Sequence, residues 1–347
     1  MKNLTAFLAF LFVLSACTEA YVPRTIQSVE LEEFTMPNSS IRAITTQSDS
    51  LLYYATSDGK IGRITPSFNK VNEITVLQDS ITPHFRAIAS NGTKVFALSI
   101  ESPALLYHYQ DGKASLVYRE DHPAIFYDAM TFYDEQNGIA IGDPTEGCLS
   151  IIVTHDGGTT WKKISCDNIP PMVEGEAAFA ASNGNIATIG AAAWVVTGGE
   201  KSRVFYSADY GETWTVSETP MMEGGKMTGN YAVAFYDANH GVIVGGDWDN
   251  KADQTASKAI TKDGGKTWNL SAPGLGPGYR SSVAYVPDTQ GQEVFSVSTT
   301  GISYSNDGGT TWNNVSDKGF YTIRFVNKNF AWLAGHNKIA KMTLSNK

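Results

Sequence analysis

Thr154-His155-Asp156-Gly157-Gly158-Thr159-Thr160-Trp161 is a stretch that recurs along the chain. Ser207-Ala208-Asp209-Tyr210-Gly211-Glu212-Thr213-Trp214, Thr261-Lys262-Asp263-Gly264-Gly265-Lys266-Thr267-Trp268 and Ser305-Asn306-Asp307-Gly308-Gly309-Thr310-Thr311-Trp312 share its pattern, S/T-x-D-x-G-x-T-W. The tryptophans stand 53, 54 and 44 residues apart. One copy decides little, but several at a near-constant interval make a repeat architecture. The chemistry of the stretch is that of a turn. A carboxylate can accept backbone N–H groups of its own turn, and glycine supplies the positive φ that a tight hairpin needs. The tryptophan that follows offers a large surface to bury. Each copy therefore closes a hairpin, and a catalytic or metal-binding role for the aspartates sits badly with their recurrence once per repeat. Ser57-Asp58-Gly59 and Gln110-Asp111-Gly112 read as worn copies upstream.

Working outward, short apolar runs bounded by turn residues recur at 51–55, 95–99, 139–142, 186–190, 242–246, 294–298 and 330–335. They read as buried strands. Each follows another strand-like run, at 41–46, 85–90, 127–132, 177–182, 231–235, 281–285 and 321–326. Asn91-Gly92, Asn137-Gly138, Asn183-Gly184 and Asn239-His240-Gly241 join several of the pairs. The order is inner strand, second strand, third strand, repeat turn, outer strand. Four-stranded sheets repeated radially make a β-propeller. The expected fold is all-β with seven four-stranded antiparallel blades, six being the alternative. The last repeat stops near its third strand, so residues 27–36 are expected to supply the missing outer strand. That closure removes two exposed sheet edges.

The expected domain order is a signal segment at 1–16, an anchor or linker at 17–26 and one propeller domain at 27–347. Lys2 precedes an apolar run, Ala6 to Leu14, too short to span a bilayer as a helix. Leu14-Ser15-Ala16-Cys17 resembles the lipobox of bacterial lipoproteins, which implies cleavage before Cys17 and its lipidation. The expected location is the cell envelope, periplasmic or outer-membrane, with the membrane as one partner. The alternative is an ordinary secretory signal with an incidental cysteine. The 35 acidic residues against 26 basic ones argue against a nucleic-acid partner. Cys148 and Cys166 lie equidistant from the turn at residue 157, so they should be cross-strand neighbours. An oxidising compartment favours a disulfide between them; a one-residue bulge would leave buried thiols instead. No Cys/His spacing suggests a metal site, and no Gly-rich phosphate loop suggests a nucleotide or other cofactor.

The starts of the inner strands ring the mouth of a propeller's channel. They bring Arg42, Arg86, Asp128, Glu176, Tyr231 and Arg280 to comparable places, with His84 and Tyr127 beside two of them. Asp143 and Asp247 follow second strands. Arginines around one axis can grip an anion through bidentate contacts, and crowded carboxylates can be tuned for acid/base work. A solvated channel whose charges neutralise each other is the third reading.

The repeat turn matches the Asp-box, or bacterial neuraminidase repeat. Sialidases share it, and the resemblance thins beyond it: Ile41-Arg42-Ala43 lacks the proline of their arginine motif, and Tyr231, Glu176 and Asp128 match their catalytic groups by type only. A wider resemblance is to the photosystem II stability/assembly factor-like propellers and their relatives in non-photosynthetic bacteria. It is carried by residues 126–132, Asn137 to Pro144, 175–182, Gly245-Gly246-Asp247 and 278–285. The resemblance implies a propeller and, in the photosynthetic members, an envelope-side scaffold. The expectation is therefore a binding or assembly scaffold for a protein or glycan partner, more a binder than an enzyme. A sialidase-like glycoside hydrolase acting at the channel mouth is the alternative.

Overall fold

Alternating apolar strands of four to six residues with turn residues between them cannot bury both faces alone; they must stack sheet on sheet. The computed structural model describes residues 21–47 and 51–344, and there the chain does this as a seven-bladed propeller. Blade 1 comprises Ala43–Thr46, Leu52–Ala55, Lys60–Ile64 and Lys70–Thr75. Blade 2 comprises Phe85–Ser90, Val95–Ser99, Ala104–Gln110 and Lys113–Glu120, and blade 3 Tyr127–Phe132, Gly138–Gly142, Ser150–Thr154 and Lys162–Lys163. Blade 4 is Ile186–Ile189, Ala192–Val196, Arg203–Ser207 and Thr215–Glu218. Blade 5 is Thr228–Phe235, Gly241–Asp247, Lys258–Thr261 and Asn269–Leu270; blade 6 is Ser282–Tyr285, Val294–Ser298, Gly301–Ser305 and Asn313–Ser316. Neighbouring strands within each blade run antiparallel.

Blade 7 joins the two ends of the chain. Thr322–Asn327 pairs with the first half of Phe330–Thr343, which doubles back where Asn337 takes φ 58°. Leu344 N donates to Asn329 O at 2.9 Å, so the two halves lie side by side. Glu30–Ser40 then pairs with the second half, Glu30 opposite Thr343 and Thr35 opposite Lys338. This is the expected ring closure. The core is divided among the contacts between blades. Ile139, Ile151 and Val153 of blade 3 pack on Val195, Phe205 and Trp214 of blade 4. Ile41, Ile44 and Tyr54 of blade 1 pack on Trp332 and Ile339 of blade 7. Before blade 1, Arg24 forms a two-pronged ion pair with buried Glu293 (2.6 Å at the shortest), which holds residues 21–26 against blade 6.

The repeat turns share one geometry. In the first, Thr160 N donates to Asp156 Oδ1 at 2.9 Å, Thr160 Oγ1 to Oδ2 at 2.7 Å, and Gly158 N to Thr154 Oγ1 at 3.0 Å. The equivalent bonds recur around Asp209, Asp263 and Asp307. Gly158 has φ 80°, a left-handed conformation that a side chain there would strain. Of the worn copies, Gln110-Asp111-Gly112 joins a third to an outer strand, as the turns do. Ser57-Asp58-Gly59 instead joins the second and third strands of blade 1, so it is not an equivalent of the repeat turn.

One strand assignment is corrected. Residues 177–182 were expected as the inner strand of blade 4, with 186–190 second. The inner strand is Ile186–Ile189, paired with Ala192–Val196. Ahead of it, Glu176–Ala177 adds with Gly198–Gly199 to the edge of blade 5. Residues 178–185 form no strand but run along the propeller axis, with hydrogen bonds to each of the other six blades. Arg42 and Arg86 donate to Ala181 O and Ala180 O. Asn183 bonds the backbone of Ile88 and Met130, and Arg324 donates to Asn183 O. Ser182 Oγ reaches Ser281 O, and Val233 N reaches Gly184 O. Ser182, Asn183 and Asn185 are buried. The channel is thus filled by backbone and small side chains.

Cys148 and Cys166 are joined in a disulfide with Cα atoms 5.6 Å apart. They lie just beyond the paired segments Ser150–Thr154 and Lys162–Lys163, and Cys166 opens a 3-10 turn. Cys17 and residues 1–16, the expected signal segment, lie outside the described residues.

Candidate functional site

Because residues 178–185 block the axis, the channel mouth becomes a closed-bottom cavity of about 280 Å³. Arg42, Arg86, Asp128 and Tyr231, at or near the starts of inner strands, line it, together with Asp143 at the end of a second strand. The floor is the backbone of Ala178 to Ala181. The remaining wall is aromatic. Phe179 stacks on Tyr231 (centroids 4.3 Å apart), Tyr279 meets Tyr231 edge-on at 4.7 Å, and Trp248 meets Tyr279 at 5.3 Å.

The electrostatics of this cavity are set by burial. Asp128 is fully buried; no side chain among the described residues hydrogen-bonds its carboxylate, which faces the backbone N–H groups of Asp143 and Ala180. Burial, then the charge of Asp143, pushes its carboxyl well above the ordinary range. Asp143 accepts a hydrogen bond from Ala178 N at 2.9 Å, yet burial raises it to about 7. Opposite them, burial and the neighbouring Arg42 hold the Arg86 guanidinium below its usual value. Arg86 Nε donates to His84 Nε2 at 3.3 Å, and burial and Arg86 push His84 down. The cavity therefore offers arginine N–H donors and a proton-bearing carboxyl pair beside an apolar wall.

The other sequence candidates lie apart. Glu176 is buried and enclosed by Arg203 Nε (3.0 Å) and Nη2 (2.5 Å), Thr197 Oγ1 (2.5 Å) and Val173 N (3.0 Å). Its charge is committed to pinning the start of the axial segment. Asp247 accepts Asp249 N at 2.7 Å at the end of its strand. The Arg280 guanidinium bonds Tyr279 O, Thr300 and Ser303, in a separate hollow. Arg42, Arg86 and Arg280 therefore do not converge. Tyr127 donates to Glu120 at 2.7 Å within a blade contact.

Sequence reasoning missed the aromatic wall of Phe179, Trp248 and Tyr279. Tyr279 precedes a strand, Trp248 follows one, and Phe179 sits in the displaced axial segment; none falls at the start of an inner strand. The usable signal was the alanine-rich run around Phe179, because alanine is depleted in strands. Among the described residues there is no cluster of His, Cys, Asp and Glu able to hold a metal ion.

No family model and no curated protein matches the chain. Solved structures do match its fold. The structure of YCF48 bound to D1 peptide aligns with TM-score 0.64 and 16% identity over 92% of this chain and 100% of that one. The RRP9 WD40 repeats align with TM-score 0.67 and 14% identity over 92% and 100%. The GH74 xyloglucanase from Xanthomonas campestris aligns with TM-score 0.63 and 12% identity over 90% of this chain but 53% of that enzyme. At such identities the likeness is one of fold, and this chain is a β-propeller of the architecture these proteins share.

Proposed function

We propose that this chain is a binding scaffold whose channel-mouth cavity receives a polypeptide segment presenting a carboxylate beside an apolar side chain. The observation that carries the reading is the cavity itself, with Arg42 and Arg86 facing an aromatic wall over a blocked channel. Arginine suits planar carboxylates, and a rigid pre-formed recess limits the ordering cost of binding. The likeness to YCF48 bound to D1 peptide supports a peptide ligand. The three-arginine hydrolase reading loses its support, because Arg280 and Glu176 lie elsewhere. Attachment through a lipid on Cys17 at the cell envelope belongs to this proposal and rests on the sequence of residues 2–17.

The test is a photo-crosslinker placed at Phe179 in the full chain, expressed in its native cells. A discrete polypeptide adduct is expected, lost in the Arg42→Gln/Arg86→Gln double variant. An adduct pattern unchanged in that variant, or none at all, refutes the cavity as the peptide site. In the same cells Cys17→Ser should move the protein from the membrane fraction to the soluble one. The upshifted Asp128–Asp143 pair is the observation favouring chemistry instead, and turnover of a glycan panel that disappears in Asp128→Asn would establish that reading.

A further inference from the structure

Consecutive residues Tyr279 and Arg280 face different hollows. Tyr279 walls the channel-mouth cavity, whereas Arg280 lines a second hollow of about 420 Å³ between blades 5 and 6. Arg280 is only 4% exposed, and its hydrogen bonds to the described residues end on neutral oxygens: Tyr279 O at 2.9 Å, Ser298 Oγ at 3.2 Å, Thr300 Oγ1 at 2.7 Å and Ser303 Oγ at 2.8 Å. Its Nε is buried without a partner. Close by, Lys258 is 1% exposed, and its Nζ bonds Ser257 Oγ at 3.0 Å and Pro277 O at 2.9 Å, again neutral atoms.

Two buried cations side by side, with no acidic partner among the ion pairs of the described residues, run against a strong rule. Buried charges are paired, because burying an unpaired one is costly. The buried carboxylates Glu176 and Glu293 obey it through Arg203 and Arg24, whereas Arg324, like Arg280, is held by neutral oxygens, Ile323 O and Asn183 O, and is pulled down to about 10 by burial. Burial pulls Arg280 down to about 10, and burial together with the Arg280 charge pulls Lys258 down to about 8. The hollow is of ligand size and opens onto Trp312 and the amides of Gln254 and Asn314.

We infer that this second hollow is an oxyanion site, in which a small molecule bearing a carboxylate or phosphate group docks on Arg280 with Lys258 supplying further positive charge. The site goes beyond the peptide-binding reading and does not depend on it. The guanidinium is the recognition element, since its fork matches both oxyanions. Trp312 and the amides face the remainder of the ligand.

The full-length protein is titrated by calorimetry and by thermal denaturation with inorganic phosphate, with glucose 6-phosphate and with glucuronate, each against potassium chloride at matched ionic strength. A saturable rise in melting temperature beyond the chloride control is expected for the phosphates, for glucuronate, or for both, and the pattern tells which oxyanion is preferred. Lys258→Met should fold, because an apolar chain of similar length replaces an unpaired buried charge, and should weaken the affinity by about tenfold through the loss of a nearby positive charge. Arg280→Gln should abolish it. No saturable response to any of the three anions overturns the inference. So does a response that survives both substitutions but vanishes in Arg86→Gln, which would place the anion at the channel mouth. Arg42→Gln/Arg86→Gln, by contrast, should leave the response intact.

Discussion

Asp128 shows how far one residue's behaviour depends on what is packed around it. Its carboxyl is fully buried, has no side-chain hydrogen-bond partner among the described residues, and is raised by burial and by Asp143 more than the backbone N–H groups of Asp143 and Ala180 lower it. A carboxyl raised on folding keeps its proton in the native state at pH values where the unfolded chain has released it. The native chain then binds more protons than the unfolded one, and stability falls as pH rises. For this pair the fall begins near the ordinary carboxylate range, about pH 4, and continues through about 7 for Asp143. Asp128→Asn should therefore raise the guanidinium midpoint at pH 8 and change it little at pH 5. A loss of equal size at both pH values would show that the carboxyl acts through its shape and not its charge. The sequence could place Asp128 at a strand start, but not its surroundings, because these depend on where the neighbouring blades and residues 178–181 bring their backbone. Glu176 carries the converse lesson. By type and position it read as a site residue, and only the arrival of Arg203, 27 positions later, reveals it as half of a buried ion pair.

Among the elements, the axial segment is where local reading and tertiary structure part. The repeat turns were legible because their chemistry is local: each Asp carboxylate binds groups within four residues of itself. Most blades were legible because β-branched and aromatic runs alternate with turns. Residues 177–182 read as a strand because they are apolar, yet apart from Phe179, which turns to the cavity wall, their side chains are small, as a narrow axis requires. Asn183-Gly184 read as a hairpin turn, but Asn183, at φ 57°, spends its side chain on neighbouring blades. Its Oδ1 accepts Met130 N at 2.8 Å, and its Nδ2 donates to Ile88 O at 3.1 Å and Met130 O at 3.2 Å. Asn183→Ala strands a buried Met130 N–H and should cost about 1–3 kcal/mol in denaturant unfolding. It should also speed hydrogen exchange at the Met130 and Val233 amides. Exchange that stays at the native rate would mean the segment is held by its backbone bonds alone.

At the scale of the whole molecule, closure of the ring is the feature on which the other sites depend. The channel-mouth cavity draws side chains from blades 1, 2, 3, 5 and the approach to blade 6, so its geometry holds only while the blades stay packed in a circle. Within blade 7 that circle is joined by Glu30–Ser40 against residues 336–343. Surface ion pairs such as Lys338–Glu33 and Lys341–Glu32 decorate the seam but contribute little in water. The hold comes from the backbone ladder and from Met36, buried with Ile41, Tyr54 and Trp332 where blade 7 meets blade 1. A chain lacking residues 1–40 would expose the edge at 338–343 as a row of unpaired N–H and C=O groups, a template for pairing with other chains. It should elute from size-exclusion chromatography as oligomers or aggregate. A synthetic peptide covering residues 27–41, added during refolding, should restore a monomer by supplying the missing strand in trans. The peptide should act in proportion to its concentration, because pairing that is no longer intramolecular loses its effective-concentration advantage. A truncated chain that remains monomeric and unfolds at the full-length midpoint would show that six blades and three strands close on their own, with the N-terminal strand merely laid on the rim.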